Sequence, residues 1–131
     1  MKSNIETIAQ LYADFGQGNI PAILEQLSDD VKWEFPASVN NVPFSGIFEG
    51  KAGVIDFFQN VGATNDFHEF NVEKLLADND TVVALGNLKA TAKTTGKISA
   101  NSWAHRWDFK DGKVVSHYEY VDSAEITKAF S

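Results

Sequence analysis

The sequence predicts an α+β fold in which N-terminal helices pack on a strongly curved antiparallel or mixed sheet. Two observations indicate this class. Apolar residues recur at helical spacing in the first third of the chain, and from Phe67 onward the apolar period changes to two, as in strands. Helices followed by a meandering sheet do not give the order of βαβ units. The sheet must therefore curl over the helices.

Two helices are predicted at the N-terminus. Ser3 followed three residues later by Glu6 has the pattern of a capping box. Apolar side chains then recur at helical spacing, and Gly16 ends this helix. Pro21 suits the first turn of a second, short helix that reaches Leu27.

A strand, a loop and a third helix are predicted next. Residues 31–35 alternate between apolar and polar, and the proline after them favours an extended backbone. Residues 36–50 contain prolines and glycines and are predicted to form an ordered loop. Apolar residues from Val54 to Val61 share one face of a helix, which Gly62 ends.

The second half of the chain is predicted to form a sheet and a last helical turn. Short polar segments supply the turns between the strands, and Asp122 can cap the final turn. No repeat or linker interrupts the chain, so a single domain over residues 1–131 is expected. The strands are predicted at about 67–78, 81–92, 97–110 and 113–121.

Composition and charge exclude several kinds of function. The net charge of −7, without a Lys/Arg cluster, disfavours nucleic acids and anionic membranes as partners. Cysteine is absent, and the three histidines lack tight acidic spacing, so no metal site is predicted. No glycine-rich phosphate loop follows a strand, and we expect no cofactor. The N-terminus lacks an apolar leader segment and no apolar run spans a membrane, which favours a cytoplasmic protein.

Four stretches of the chain resemble, in order, the nuclear-transport-factor-2-like superfamily and its SnoaL-like branch. They are residues 12–19, 27–33, 44–58 and 107–122. The resemblance implies a cone-shaped, cystatin-like fold whose sheet encloses a cavity closed by helices. It also implies relatedness to polyketide cyclases and ketosteroid isomerases. In such enzymes burial raises the pKa of a cavity carboxylate, which removes a proton next to a carbonyl.

The resemblance selects two candidate catalytic residues. The position of the ketosteroid isomerase base is occupied by Phe35, which cannot accept a proton, so that route is rejected. The histidine and the acid of SnoaL-like cyclases match His105 and Glu119, a glutamate where the family has aspartate. The resemblance implies that Glu119 is the general base and that His105 donates a hydrogen bond to the developing enolate oxygen. A core histidine and a solvated strand glutamate are the competing interpretations.

Further residues are predicted to surround this pair. His117 shares the face of Glu119 and is a second candidate partner. A small apolar or carbonyl-bearing ligand is the expected occupant. The residues predicted to line the pocket are Tyr12, Trp33, Phe35, Phe58, Trp103, Trp107 and His117.

The turn between the last two strands decides whether Glu119 faces the cavity. A two-residue turn pairs Lys110 with Lys113 and puts His105 opposite Tyr118. Glu119 then points away from the aromatic face. Amphipathicity alone favours this register.

A three-residue loop gives a second register. Phe109 then pairs with Lys113, His105 faces His117, and Glu119 lies on the same side. We predict this register, because the resemblance points Glu119 inward. The outer sheet face would then be a homodimer surface formed by Val114, Tyr118 and Tyr120.

Three functions remain open. The favoured one is a cofactor-independent acid–base enzyme, of isomerase or cyclase type, acting on a small, largely apolar carbonyl compound. A non-catalytic ligand-binding or dimerisation module is the alternative, and a cavity filled by tryptophan side chains would favour it. The third is an epoxide hydrolase similar to the limonene-epoxide hydrolases, which use an Asp–Arg–Asp set. Arg106 neighbours His105 and should therefore face the opposite side, which counts against it.

Overall fold

A computed structural model describes residues 2–36 and 42–131. The elements of these residues follow the predicted order, with helices first and most of the sheet after them. The helices are α1 (Asn4–Gly16), α2 (Ile20–Glu25), α3 (Gly50–Thr64) and α4 (Ser123–Ala129). The strands are β1 (Leu27–Phe35), β2 (Gly46–Glu49), β3 (Asn65–Asp78), β4 (Thr81–Ala92), β5 (Ile98–Lys110) and β6 (Lys113–Tyr120).

The strands form one curved, mixed sheet that does not close into a barrel. Their order is β2-β1-β6-β5-β4-β3, with β1 parallel to β6 and the other pairs antiparallel. Helices α1 and α3 pack across the sheet. The predicted α+β class and the curl of the sheet over the helices are confirmed. Among the described residues, no helix is long and apolar enough to cross a membrane.

The N-terminal segment forms the predicted capping box. The Ser3 hydroxyl accepts a hydrogen bond from the Glu6 backbone at 3.2 Å, and the Glu6 carboxylate accepts one from the Ser3 backbone. Two helix ends were predicted wrongly. Helix α3 continues past Gly62 to Thr64. Leu27 begins β1 instead of ending α2, because it pairs with Val114 in the parallel β1–β6 ladder.

The predicted loop over residues 36–50 contains an additional strand. Residues 46–49 form β2, which pairs antiparallel with β1, so the loop prediction is wrong there. Phe48 packs against Phe57 of α3 with ring centroids 5.4 Å apart. Residues 37–41 of this segment lie outside the described residues.

The β5–β6 connection is a two-residue turn. Asp111 and Gly112 have φ angles of 52° and 78°, as a type I′ turn requires, and Lys110 pairs with Lys113. The predicted three-residue loop is therefore wrong.

A bulge after this turn nevertheless points Glu119 inward. Val115 is the extra residue on β6, and beyond it Trp107 pairs with His117 and His105 pairs with Glu119. One inserted residue moves every following side chain to the other face. The predicted pairing of His105 with His117 is wrong, whereas the predicted direction of Glu119 is correct.

The same bulge changes which side chains of β6 lie on the outer face of the sheet. Val114 precedes the bulge, pairs with Phe109 and is fully buried, so its predicted place on the outer surface is wrong. Tyr118 and Tyr120 lie on the outer face, with ring centroids 4.7 Å apart.

Candidate functional site

A cavity of about 90 Å³ lies between the sheet and the helices. Its wall is mostly aromatic and aliphatic, and most of its ionisable groups come from β5 and β6. Six of the seven predicted pocket residues line it: Tyr12, Trp33, Phe35, Phe58, Trp107 and His117.

Trp103, the seventh, is buried but does not line the cavity, so this prediction is wrong. Its ring stacks on the ring of His105, with centroids 4.1 Å apart. Gly86 lies opposite Trp103 in the β4–β5 ladder, and a Cβ atom there would lie 2.3 Å from the indole. The glycine therefore makes room for Trp103, which supports the His105 ring.

The two candidate catalytic residues lie side by side at the cavity wall. His105 Nε2 is 3.7 Å from one carboxylate oxygen of Glu119, and His117 Nε2 is 3.2 Å from the other. The Glu119 side chain is 13% exposed, and the two imidazoles are buried. The solvated-glutamate interpretation therefore does not hold. In this arrangement the Glu119 carboxylate can act as a base, and the imidazole N–H groups can donate hydrogen bonds.

Tyr12 of α1 holds His105 from the helix layer. The Tyr12 hydroxyl lies 2.6 Å from His105 Nδ1 and accepts a hydrogen bond from Trp107 Nε1 at 3.1 Å. Burial raises the pKa of Tyr12, so its proton remains to be donated to His105 Nδ1. In its neutral form, His105 then carries its own proton on Nε2, which faces Glu119. Sequence reasoning placed Tyr12 in the pocket but missed this hydrogen bond.

Comparison with known proteins gives the family. Residues 8–117 match the family model described as the SnoaL-like domain. The chain belongs to the SnoaL-like domain family. The match covers most of the chain, from α1 to the inward-facing part of β6.

Solved structures and one curated relative are similar to this SnoaL-like domain. A nuclear-transport-factor-2-like protein of unknown function from Burkholderia pseudomallei is 25% identical, with a TM-score of 0.89 over 100% of this chain and 99% of that one. TerC, co-crystallised with polyporic acid, is 25% identical, with a TM-score of 0.86 over 97% of both chains. Patulin biosynthesis cluster protein F from Penicillium expansum is 27% identical over 78 residues, 60% of this chain but only 39% of that protein.

The ionisation of Glu119 differs from what the family resemblance implies. Burial by itself raises the pKa of the carboxyl, but the positive charge of a protonated His105 nearby and the hydrogen bond from His117 outweigh burial. Together they lower the pKa of Glu119 from 4.5 to about 2. The implied rise toward neutrality is therefore wrong for Glu119, because two imidazoles lie 3.7 and 3.2 Å from its carboxylate oxygens.

His117 is held in its neutral form. Burial lowers its pKa from 6.5 to about 4, although the hydrogen bond to Glu119 opposes the shift. Nε2 of His117 contacts the Glu119 carboxylate, which can only accept a hydrogen bond. The neutral ring therefore carries its proton on Nε2.

These shifts predict that the domain loses stability in acid. Between pH 6.5 and about 4 the unfolded state protonates His117 and the native state does not, so this contribution is complete above pH 6.5 and falls on acidification. The Glu119 contribution is complete above pH 4.5 and falls toward pH 2. We expect the urea midpoint to decrease steadily from about pH 7 to about pH 4.5.

His117→Asn should flatten this decrease. His68→Gln is the matched control, because His68 is exposed on β3, and it should leave the dependence unchanged. A wild-type midpoint that stays constant over this pH range would contradict the burial of a neutral His117.

The same three residues also have the composition of a metal site. Ligand atoms of His105, His117 and Glu119 lie within 4.8 Å of one another, so the prediction that the histidines are too scattered is wrong in its geometry. Two histidines and a glutamate can bind zinc. Metal-bound histidines normally donate their second nitrogen to a partner, but His117 Nδ1 has none in the described part of the chain. The set thus fits a metal incompletely.

Proposed function

We propose that this SnoaL-like domain is a cofactor-independent acid–base enzyme, of isomerase or cyclase type, that acts on a small, largely apolar carbonyl compound. The observation that carries the proposal is the position of Glu119. Its carboxylate lies between His105 and His117 at the wall of an otherwise largely apolar cavity. A carbon next to a carbonyl loses a proton readily when a base is close and the oxygen is stabilised.

The proposed step uses Glu119 and His105. A Glu119 oxygen takes the proton from the carbon beside the carbonyl, and the electron pair of that C–H bond moves into the enolate. His105 Nε2–H donates a hydrogen bond to the developing oxyanion. Tyr12 and Trp107 keep the imidazole oriented. In a conjugated enolate, return of the proton from Glu119 to the far carbon gives an isomer. Attack of the enolate carbon on a second carbonyl of the same molecule closes a ring, and the alkoxide formed there takes the proton from Glu119.

The substrate itself is proposed to activate the base. His105 is the leading cause that lowers the pKa of Glu119, and their contact at 3.7 Å is longer than a hydrogen bond. A substrate oxygen that accepts the hydrogen bond of His105 Nε2 would weaken the interaction of His105 with Glu119. The pKa of Glu119 would then rise, because burial raises the pKa of the carboxyl and is opposed less strongly.

The comparisons support a small organic ligand. TerC was co-crystallised with polyporic acid, and its match covers 97% of this chain. Besides the indole N–H groups of Trp33 and Trp107, six polar side chains line the cavity, and the rest of the wall is carbon: Tyr12, Asn65, Ser99, His105, His117 and Glu119. Such a wall suits a largely apolar molecule with few polar groups.

A non-catalytic binding module is the second candidate. The lowered pKa of Glu119 and the narrow cavity favour it, because both suit ligand capture better than proton abstraction. The tryptophans do not support it, because Trp103 packs outside the cavity. An epoxide hydrolase gains no support, since Arg106 lies on the outer face, 3.3 Å from Asp108.

Proton exchange on cyclopentanone tests the proposal. We expect the domain, incubated with this ketone in D₂O, to speed the loss of the α-proton signal in ¹H NMR well above the buffer rate. Dialysis against EDTA should leave the rate unchanged. Binding without exchange would favour the binding module, and loss of exchange after EDTA would contradict the metal-free step.

Dimerisation is proposed for the outer sheet face. Tyr120 is 48% exposed, packs against Tyr118 and accepts a hydrogen bond from Arg106 at 3.0 Å. An exposed aromatic pair of this kind suits a self-complementary interface. Sedimentation equilibrium should give a dimer, which Tyr120→Glu converts to monomer. Thr94→Glu, in the exposed β4–β5 turn, is the matched control and should stay dimeric.

A further inference from the structure

We propose that the cavity selects ligands that carry a carbonyl group next to a hydroxyl group, as an enolised 1,2-dicarbonyl does. Trp33 Nε1 would donate to the carbonyl oxygen, and His117 Nδ1 would accept from the hydroxyl. This inference rests on the proposed function and specifies its substrate class.

Trp33 presents a buried donor without a partner. The residue is 2% exposed and lines the cavity, and its Nε1 makes no hydrogen bond to the described residues. An indole N–H can only donate. Buried donors are almost always satisfied, because leaving one unpaired costs the lost hydration of the group. A ligand oxygen in the cavity would satisfy it.

His117 presents the complementary acceptor. Its Nε2 faces Glu119 at 3.2 Å, and because the carboxylate only accepts, the proton lies on Nε2. Nδ1 of the neutral ring is then an acceptor. Within residues 2–36 and 42–131 it has no partner, and the residue is 1% exposed and lines the cavity.

One small molecule can reach both groups. Trp33 and His117 are direct neighbours in the parallel β1–β6 ladder, and their ring centroids are 4.0 Å apart. The ring planes are tilted by 33°. Trp33 Nε1 and His117 Nδ1 do not bond to each other, because both lack a partner among the described residues. A donor and an acceptor side by side match a hydroxyl beside a carbonyl.

Trp103 supplies a matched control within the same protein. Its Nε1 is also buried and unpaired among the described atoms, yet the residue does not line the cavity. Burial and chemistry are thus the same as for Trp33, and the two residues differ in whether they line the cavity.

The chain contains no cysteine, so enone compounds can serve as binding probes without thiol addition.

Two probes that differ only by the hydroxyl group test the inference: 2-hydroxycyclopent-2-en-1-one and cyclopent-2-en-1-one. In ¹H–¹⁵N spectra, both should shift the indole N–H of Trp33 downfield and leave that of Trp103 in place. Only the hydroxy probe should shift the ¹⁵N signal of His117 Nδ1. It should also bind about three- to tenfold more tightly than the enone, the value of one hydrogen bond.

Substitution of Trp33 tests whether its indole N–H binds the ligand. Trp33→Phe should weaken both probes about three- to tenfold, and in this variant neither probe should move the Trp103 indole signal. Equal affinity for the two probes, or binding that leaves the Trp33 signal unmoved, would overturn the inference. Proton exchange on cyclopentanone would still support the proposed function in that case. Failure of both probes to bind at saturating concentration would contradict the inference and the proposed ligand class together.

Discussion

Glu119→Gln is expected to slow proton exchange on cyclopentanone by about 10²–10⁴-fold, the usual contribution of a general base. The amide keeps the size of the carboxylate and can still contact His105 and His117, but it cannot accept the carbon-bound proton. The loss should therefore appear in the exchange rate and hardly in the affinity for the ketone. ¹H NMR in D₂O gives the rate, and ligand titration gives the affinity.

Glu69→Gln is the matched control for this variant. Glu69 lies on β3 with an exposed side chain, so the same chemical change occurs away from the cavity. Its exchange rate should equal that of the unaltered domain. An unchanged rate in Glu119→Gln, with the fold verified by circular dichroism, would remove Glu119 from the mechanism.

Gly86→Ala is expected to destabilise the domain by about 3 kcal/mol, the upper end of the range for overpacked cores. An added Cβ would lie 2.1 Å from the backbone oxygen of Asn71 and 2.3 Å from the Trp103 indole. To relieve these contacts, either the strand that carries Asn71 or the Trp103 ring that stacks on His105 would have to move. Urea denaturation measures the loss, and the proton-exchange rate should fall as His105 loses its support.

Gly62→Ala is the corresponding control. Gly62 lies in the last part of α3, and nothing lies within 4 Å of a Cβ atom built there. Alanine should therefore leave stability unchanged or raise it by up to about 1 kcal/mol. If Gly86→Ala were as stable as Gly62→Ala, the tight packing of Trp103 on Gly86 would be wrong.

Local patterns predicted the larger part of the fold. The capping box at Ser3 and the alternating strands after Phe67 depend on neighbouring residues, so the sequence reveals them directly. Strand β2 was not predicted because the three residues between Gly46 and Gly50 are too few to show alternation. The Val115 bulge was not predicted because nothing in the residue type distinguishes a bulge from a regular position.

The candidate site was predicted in position but not in its electrostatics. The resemblance placed His105 and Glu119 together, and the structure brings them to one wall of the cavity. The hydrogen bond from Tyr12 joins residues 93 positions apart, which no local pattern reveals. The direction of the Glu119 pKa depends on two contacts of 3.7 and 3.2 Å, and only a structure provides them.

The ionisation of Glu119, followed by ¹³C NMR of its side-chain carboxyl with and without cyclopentanone, is the most direct test of the proposed step. In the free domain we expect the carboxyl to remain ionised well below pH 4.5, in line with a pKa of about 2. Saturation with the ketone should raise this pKa, because the ligand oxygen takes the hydrogen bond of His105. A Glu119 pKa that the bound ketone leaves unchanged would contradict substrate activation of the base.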